Sequence, residues 1–123
     1  MSQNRGAVKV TNVTRGTVVG TDVYFAATWW GRARGWLGHP EPANGAGLLL
    51  TPCKGIHMVG MKFPIDVAFL DKEGNVVAVY AALQPWQRTR IHNNAQTALE
   101  LPNGTLAKTG TVVGDVLTWE EAV

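Results

Sequence analysis

Between Gly47 and Tyr80 the chain reads GLLLTPCKGIHMVGMKFPIDVAFLDKEGNVVAVY, and the spacing of its breakers dictates short extended segments. The apolar run Leu48 to Leu50 stops at Pro52, and Gly55, Gly60 and Pro64 then interrupt any helical pattern before it completes two turns. Ile65 to Leu70 carries apolar residues on both faces around Asp66, the signature of an interior strand. After the turn Asp71-Lys72-Glu73-Gly74-Asn75 a second apolar run begins at Val76 and continues to Leu83, so the two runs read as a β-hairpin.

The remainder of the chain supports this hairpin. Residues 1 to 7 read as a loose, disordered polar tail and residues 8 to 123 as one domain. Val8 to Val19 alternates, is rich in β-branched residues and is broken at Arg15-Gly16, which predicts two short strands around a turn. The segment Val23 to Ala26 fits either a strand end or the lead into a helix. Thr28 suits the N-cap of a helix over Trp29 to Leu37, where Trp29, Ala33, Trp36 and Leu37 share one stripe and Arg32 and Arg34 point away. Gly31 and Gly35 weaken that helix by about 1 kcal/mol each relative to alanine, so close packing on a sheet must compensate. Gly38 and Pro40 end it.

Residues 84 to 96, QPWQRTRIHNNAQ, are polar and basic and read as a long surface loop. Thr97 to Leu101 is a strand, Gly104 to Thr109 a short helix and Val116 to Trp119 a closing strand. The expected fold is mainly β, an antiparallel β-sandwich or small barrel with one or two short helices.

The chain has 123 residues, enough for one domain that buries roughly two thirds of its unfolded surface without disulfides or metals. Eleven Lys and Arg against nine Asp and Glu give a net charge of +2, too small to make nucleic acid or anionic lipid the expected partner. The single cysteine cannot form an internal disulfide. The N-terminal residues lack an apolar core of signal-peptide length, and no window approaches about 18 apolar residues, so a soluble cytoplasmic protein with no membrane partner is expected.

Chemistry-bearing residues concentrate in the central stretch. Cys53 and His57 lie four apart, on the same face of an extended chain, with Gly55 between them free to turn. An imidazole beside a thiol favours the thiolate, the form that acts as nucleophile or metal ligand. The structural reading is a buried cysteine and a histidine satisfied by a backbone carbonyl. No third ligand stands at zinc spacing, because His39 and His92 fall in loops, so neither metal nor cofactor is expected. Asp66, set in an apolar strand, needs partners: a salt bridge with Lys62 or Arg34, backbone N–H groups of a nearby turn, or a polar cluster with His57. Lys62 can hold an anion beside Arg32 or Arg34, or be solvated. Trp86, near Arg88 and Arg90, has the aromatic and basic interleaving that single-stranded nucleic acids use, but in a short stretch of low total charge.

The segments ATWWGRARGWLGH, GLLLTPCKGIHMVGMKFPIDVAFLDKEGNVVAV, ALELPNGT and VGDVL resemble, in that order, the small bacterial and archaeal domain-of-unknown-function family 192 over residues 27 to 117. The most specific marks are Pro52-Cys53, His57, Gly60-Met61, Phe63-Pro64-Ile65-Asp66 and Leu70-Asp71. Trp36 stands where the family pattern has leucine, and Met58-Val59 where it has a more polar and aromatic pair. The resemblance implies a compact, mainly β domain and supports the choice of site residues, but it supplies no activity.

No complete catalytic constellation accompanies these residues: no hydroxyl paired with His57, no phosphate-cradling loop and no carboxylate pair. The leading expectation is a non-enzymatic small-ligand or peptide-binding domain with a polar cleft formed by Cys53, His57, Met61, Lys62, Asp66 and Arg34. The alternatives are a hydrolase or transferase with Cys53 as nucleophile and His57 as base, and a protein-interaction module presenting a sheet edge or the basic loop. The sequence leaves open whether the chain is an enzyme.

Overall fold

β-Branched alternation at the N-terminus becomes a hairpin in the computed structural model, which describes residues 6–26, 36, 38 and 40–121. β1 (Val8–Asn12) and β2 (Thr17–Ala26) turn back at Gly16, whose φ of 72° is open to glycine at little cost. The Val23 to Ala26 segment is a strand end, the first of its two sequence readings. The helix expected over Trp29 to Leu37 lies outside the described residues except for Trp36, which is a buried turn residue.

β3 (Ala46–Leu50), β4 (Ile65–Leu70), β5 (Val76–Leu83), β6 (Thr97–Pro102), α1 (Thr105–Thr109) and β7 (Leu117–Glu121) follow. The strands form one seven-stranded sheet in the order β5-β4-β6-β3-β2-β1-β7. All neighbours are antiparallel except β2 and β3, which run parallel from Asp22 beside Ala46 to Ala26 beside Leu50. The sheet is therefore mixed at one pair, where strand spacing alone suggested a purely antiparallel one. Parallel neighbours need a crossover of about a dozen residues or more, and residues 27–45 supply that length.

The sheet curls into a half-barrel, and its two edges meet at one corner. There Asn75 bridges Val116, the Val76 N–H donates to the Asp115 carbonyl (2.8 Å) and the Leu117 N–H to the Gly74 carbonyl (2.9 Å). Gly74 sits at φ 88°, and a Cβ there would strike the Leu117 carbonyl oxygen, so only glycine lets the β4–β5 turn pass.

The two faces of the sheet bury separate apolar clusters. Val10, Val23, Leu49, Leu70, Leu99 and Leu117 pack on one side with Leu106 of α1. Leu50, Ile65, Val67, Phe69 and Ala98 pack on the other, under Trp36, Met58, Met61 and Phe63. β4 and β6 are buried on both faces, as their near-continuous apolar runs require. No helix among the described residues is long and apolar enough to cross a membrane.

Asp66 is the polar exception on β4, 1% exposed. Ile65 pairs with Leu83 but Val67 with Tyr80, so β5 carries one residue more than β4 across that step, a β-bulge. Within the bulge Ala82 stands at φ 54°, and its N–H donates to Asp66 Oδ1 (2.9 Å). Asp66 Oδ2 accepts from the N–H groups of Gly104 (3.1 Å) and Leu106 (2.8 Å). Those two belong to the start of α1, where Gly104 has no side chain to cap the orphan donors. A carboxylate from a distant strand does the capping, and its charge suits a helix N-terminus.

Replacing Asp66 strands three donors, each worth about 1–3 kcal/mol when left unpaired. Asp66→Ala is expected to lower the unfolding free energy by roughly 3 kcal/mol or more, and Asp66→Asn by less because one oxygen remains. Urea denaturation reads this directly; an unchanged midpoint for Asp66→Ala would show that the three bonds are not structural.

Candidate functional site

The basic loop of residues 84–96 is zipped to the segment of residues 53–58 by backbone hydrogen bonds. Cys53 N–H donates to the Gln96 carbonyl (2.9 Å), His92 to Lys54 (2.8 Å), Thr89 to Ile56 (2.9 Å), Met58 to Gln87 (2.8 Å) and Trp86 to Met58 (2.8 Å). His57 and Arg88 face each other as an isolated antiparallel bridge. Side chains reinforce the ribbon: the Ile56 N–H donates to Thr89 Oγ1 (3.0 Å), and Lys54 Nζ donates to the carbonyls of Asn93 (2.8 Å) and Ala95 (2.9 Å). Met58, wholly buried, anchors it to the sheet.

Between this ribbon and the end of β5 lies an open cleft of about 800 Å³, lined by His57, Val59, Tyr80, Leu83, Trp86 and Arg88. Trp86 is 70% exposed, and its backbone is held at φ 71°, a region that non-glycine residues rarely occupy. At the sheet side of the cleft, Tyr80 Oη lies 2.7 Å from His92 Nε2 and accepts the Arg90 N–H at 3.3 Å. Burial first, and the Arg90 charge second, lower the His92 pKa below its ordinary value. The Phe69 ring lies 4.9 Å from the imidazole.

The residues singled out from sequence are distributed among different surroundings. His57 is exposed and lines the cleft. Cys53 is half-buried, packs against the apolar cluster beneath the ribbon and directs its thiol to the Gly55 carbonyl (3.3 Å). Met61 is in the core and Lys62 is exposed. Asp66 is engaged by three backbone donors, the turn-acceptor arrangement among its sequence readings. Arg34 lies outside the described residues. One wall of the cleft thus comes from the Cys53 to Asp66 stretch and the other from residues 80–88. Among the described residues no group of three or more His, Cys, Asp or Glu could hold a metal ion.

Sequence reasoning passed over Tyr80 and Glu100, and set His92 aside as a loop residue without ligand spacing. Tyr80 and His92 are twelve residues apart and are joined only by the return of the loop over β5. Glu100 carried a signal that was not used, a carboxylate in the middle of the strand TALELP. It is buried between Leu48 and Val67 on the neighbouring strands, and its Oε1 has no hydrogen-bond partner. Burial pushes its pKa up from 4.5 to about 7.

Comparison with known proteins agrees with this architecture. Residues 10–119 match the profile of domain-of-unknown-function family 192, DUF192, described as uncharacterized ACR. The chain belongs to that family. No curated protein matches it. A protein of unknown function from Novosphingobium aromaticivorans DSM 12444 has a similar crystal structure, with a TM-score of 0.78 and 24% identity over 91% of this chain and 83% of that one. A candidate transcription regulator from Sinorhizobium meliloti 1021 gives a TM-score of 0.77 and 20% identity over 96% and 98%. At these identities the likeness shows that the family 192 chain shares their fold.

The raised pKa of Glu100 makes stability depend on pH with a definite sign. Its unfolded carboxyl ionises near 4.5 and its folded one near 7, so the folded state holds the extra proton between those values. Stability from this group is fully present below about pH 4.5 and is lost as the pH rises to about 7. Glu100→Gln is expected to be close to neutral near pH 4 and to stabilise by up to roughly 3 kcal/mol near pH 8. Paired urea titrations check this, and a difference that stays flat with pH would show that the carboxyl is not buried in its charged form.

Proposed function

We propose that the chain is a non-enzymatic binding domain that takes a small ligand or peptide segment in the cleft between the ribbon and β5. The observation that carries this reading is Trp86. Its exposed indole forgoes roughly 2 kcal/mol of burial, and its positive φ costs of order 1–3 kcal/mol, yet the bond to the Met58 carbonyl holds it at the rim. Residues held in sparsely populated backbone regions at ligand clamps are a recurrent arrangement, in which the surrounding structure over-determines the strain.

The cleft also has the composition of a binding site. Leu83 and Val59 offer apolar surface, Trp86 and Tyr80 offer ring faces, and His57 and Arg88 place polar groups beside them. Its volume lies within the range of about 300–1,000 Å³ typical of small-molecule sites. Rigid backbone pairing on one wall and the end of a strand on the other reduce the ordering that a ligand must impose.

A fragment screen read by ¹H–¹⁵N correlation spectra tests the proposal. Hits are expected to shift the Trp86 indole N–H and the backbone signals of His57 and Arg88 together. Trp86→Ala should weaken those hits about tenfold or more while leaving the melting temperature nearly unchanged, because the indole contributes little to the core. Hits that gather elsewhere, or that survive Trp86→Ala undiminished, would remove the cleft as the site.

A further inference from the structure

We infer, resting on that binding role, that the cleft selects an organic anion: a carboxylate or phosphate ester attached to a flat, apolar body. The argument begins with charge placement. Residues 52–62, which include the ribbon segment 53–58, and residues 84–96 contain Lys54, Lys62, Arg88 and Arg90 and no Asp or Glu at all. Four of the eleven Lys and Arg therefore face no acid within their own segments. The net charge of +2 for the whole chain conceals this segregation, which concentrates positive potential along one ribbon.

Of the acidic residues elsewhere, Glu100 lies on the ribbon's side of the sheet, where burial pushes its pKa up to about 7, and those named next lie away from the ribbon. Asp66 projects from the opposite face of the sheet, where Gly104, Leu106 and Ala82 enclose its oxygens. Asp71 and Glu73 sit in the turn at the other end of β5, and Asp71 accepts from the Glu73 and Asn75 N–H groups there. Among the described residues the ion pair is Arg15 with Asp115, near the β1–β2 turn. Arg88, Arg90 and Lys62 have no such partner among them. Lys54 donates to two carbonyls, which fixes its position in the ribbon without neutralising its charge.

Arg88 is the cation that reaches the cleft, and its guanidinium has the fork geometry that fits a carboxylate or phosphate with two parallel hydrogen bonds. The exposed imidazole of His57 stands across the ribbon bridge from it and can add a donor. Trp86 and Leu83 supply the surface for the flat part of the ligand. The lowered pKa of His92, set partly by Arg90, accords with a positive local potential.

Probes that share one ring and differ in charge separate the anion claim from the binding reading beneath it. The ¹⁵N-labelled protein is titrated with indole-3-acetate, indoxyl phosphate, indole-3-acetamide and tryptamine, following the signals of Trp86 and Arg88. Both anions are expected to bind about tenfold more tightly than the neutral amide, with tryptamine weakest, and added salt should weaken the anions alone. Arg88→Gln should weaken the anions far more than the amide, so that most of the anions' advantage is lost. The two anions also report whether carboxylate or phosphate is preferred. Equal binding of all four at the cleft would overturn anion selection and leave the binding role intact. Absence of shifts at Trp86 and Arg88 with every probe would overturn both.

Discussion

The carboxylate of Asp66 ties β4 to the bulge of β5 and to the start of α1, through donors that the strand ladders leave unpaired. It lies on β4, and its donors are 16, 38 and 40 residues further along, in the bulge of β5 and at the start of α1. The bulge puts Ala82 in a left-handed conformation that costs roughly 1–2 kcal/mol for a residue with a Cβ. The side-chain bond gives the freed N–H an acceptor and so offsets part of that cost. Register is the consequence that matters for the site. With the extra residue in β5, Leu83 lies opposite Ile65, and the chain leaves the sheet into the Gln84 to Gln87 turn that presents Trp86. The outer wall of the cleft begins four residues after the bulge, so a contact on one face of the sheet sets geometry used on the other.

A second buried carboxylate shows what happens where donors are lacking. Glu100 lies opposite Val67, one step along β4 from Asp66, and points to the other face. Asp66 meets a helix start and a bulge; Glu100 meets the side chains of an apolar row. Burial is nearly the same, but the first is surrounded by N–H groups and the second has an oxygen with no partner. A buried carboxyl without donors lowers its free energy by keeping its proton, and the pKa near 7 expresses this. Position in the pleat, not depth, separates the two outcomes.

Strands were legible in the sequence wherever breakers bounded apolar runs. Ile65 to Leu70 and Val76 to Leu83 came directly from the period of their apolar residues and the Asp71 to Asn75 turn. The parallel pairing of β2 with β3 was not legible, because it depends on a crossover through residues 27–45 whose path no local pattern states. The ribbon was hidden for a different reason. Residues 84–96 are polar, and their pairing uses backbone groups at uneven spacing, so composition suggested a loop while hydrogen bonding makes a wall. Asp66 could be recognised as needing partners, but their identity lay too far along the chain to be read.

The same geometry bears on chemistry at the cleft. Covalent catalysis needs a nucleophile and its base within about 3 Å, with the base oriented by a third group. Here the imidazole of His57 faces the cleft, whereas the Cys53 thiol acts as a donor to the Gly55 carbonyl and packs against the apolar cluster under the ribbon. The groups that do converge on the cleft are two rings, a guanidinium and an imidazole. On the binding role proposed above these groups would read ring shape and charge, and the bond from the Trp86 N–H to the Met58 carbonyl holds one of the rings at the rim.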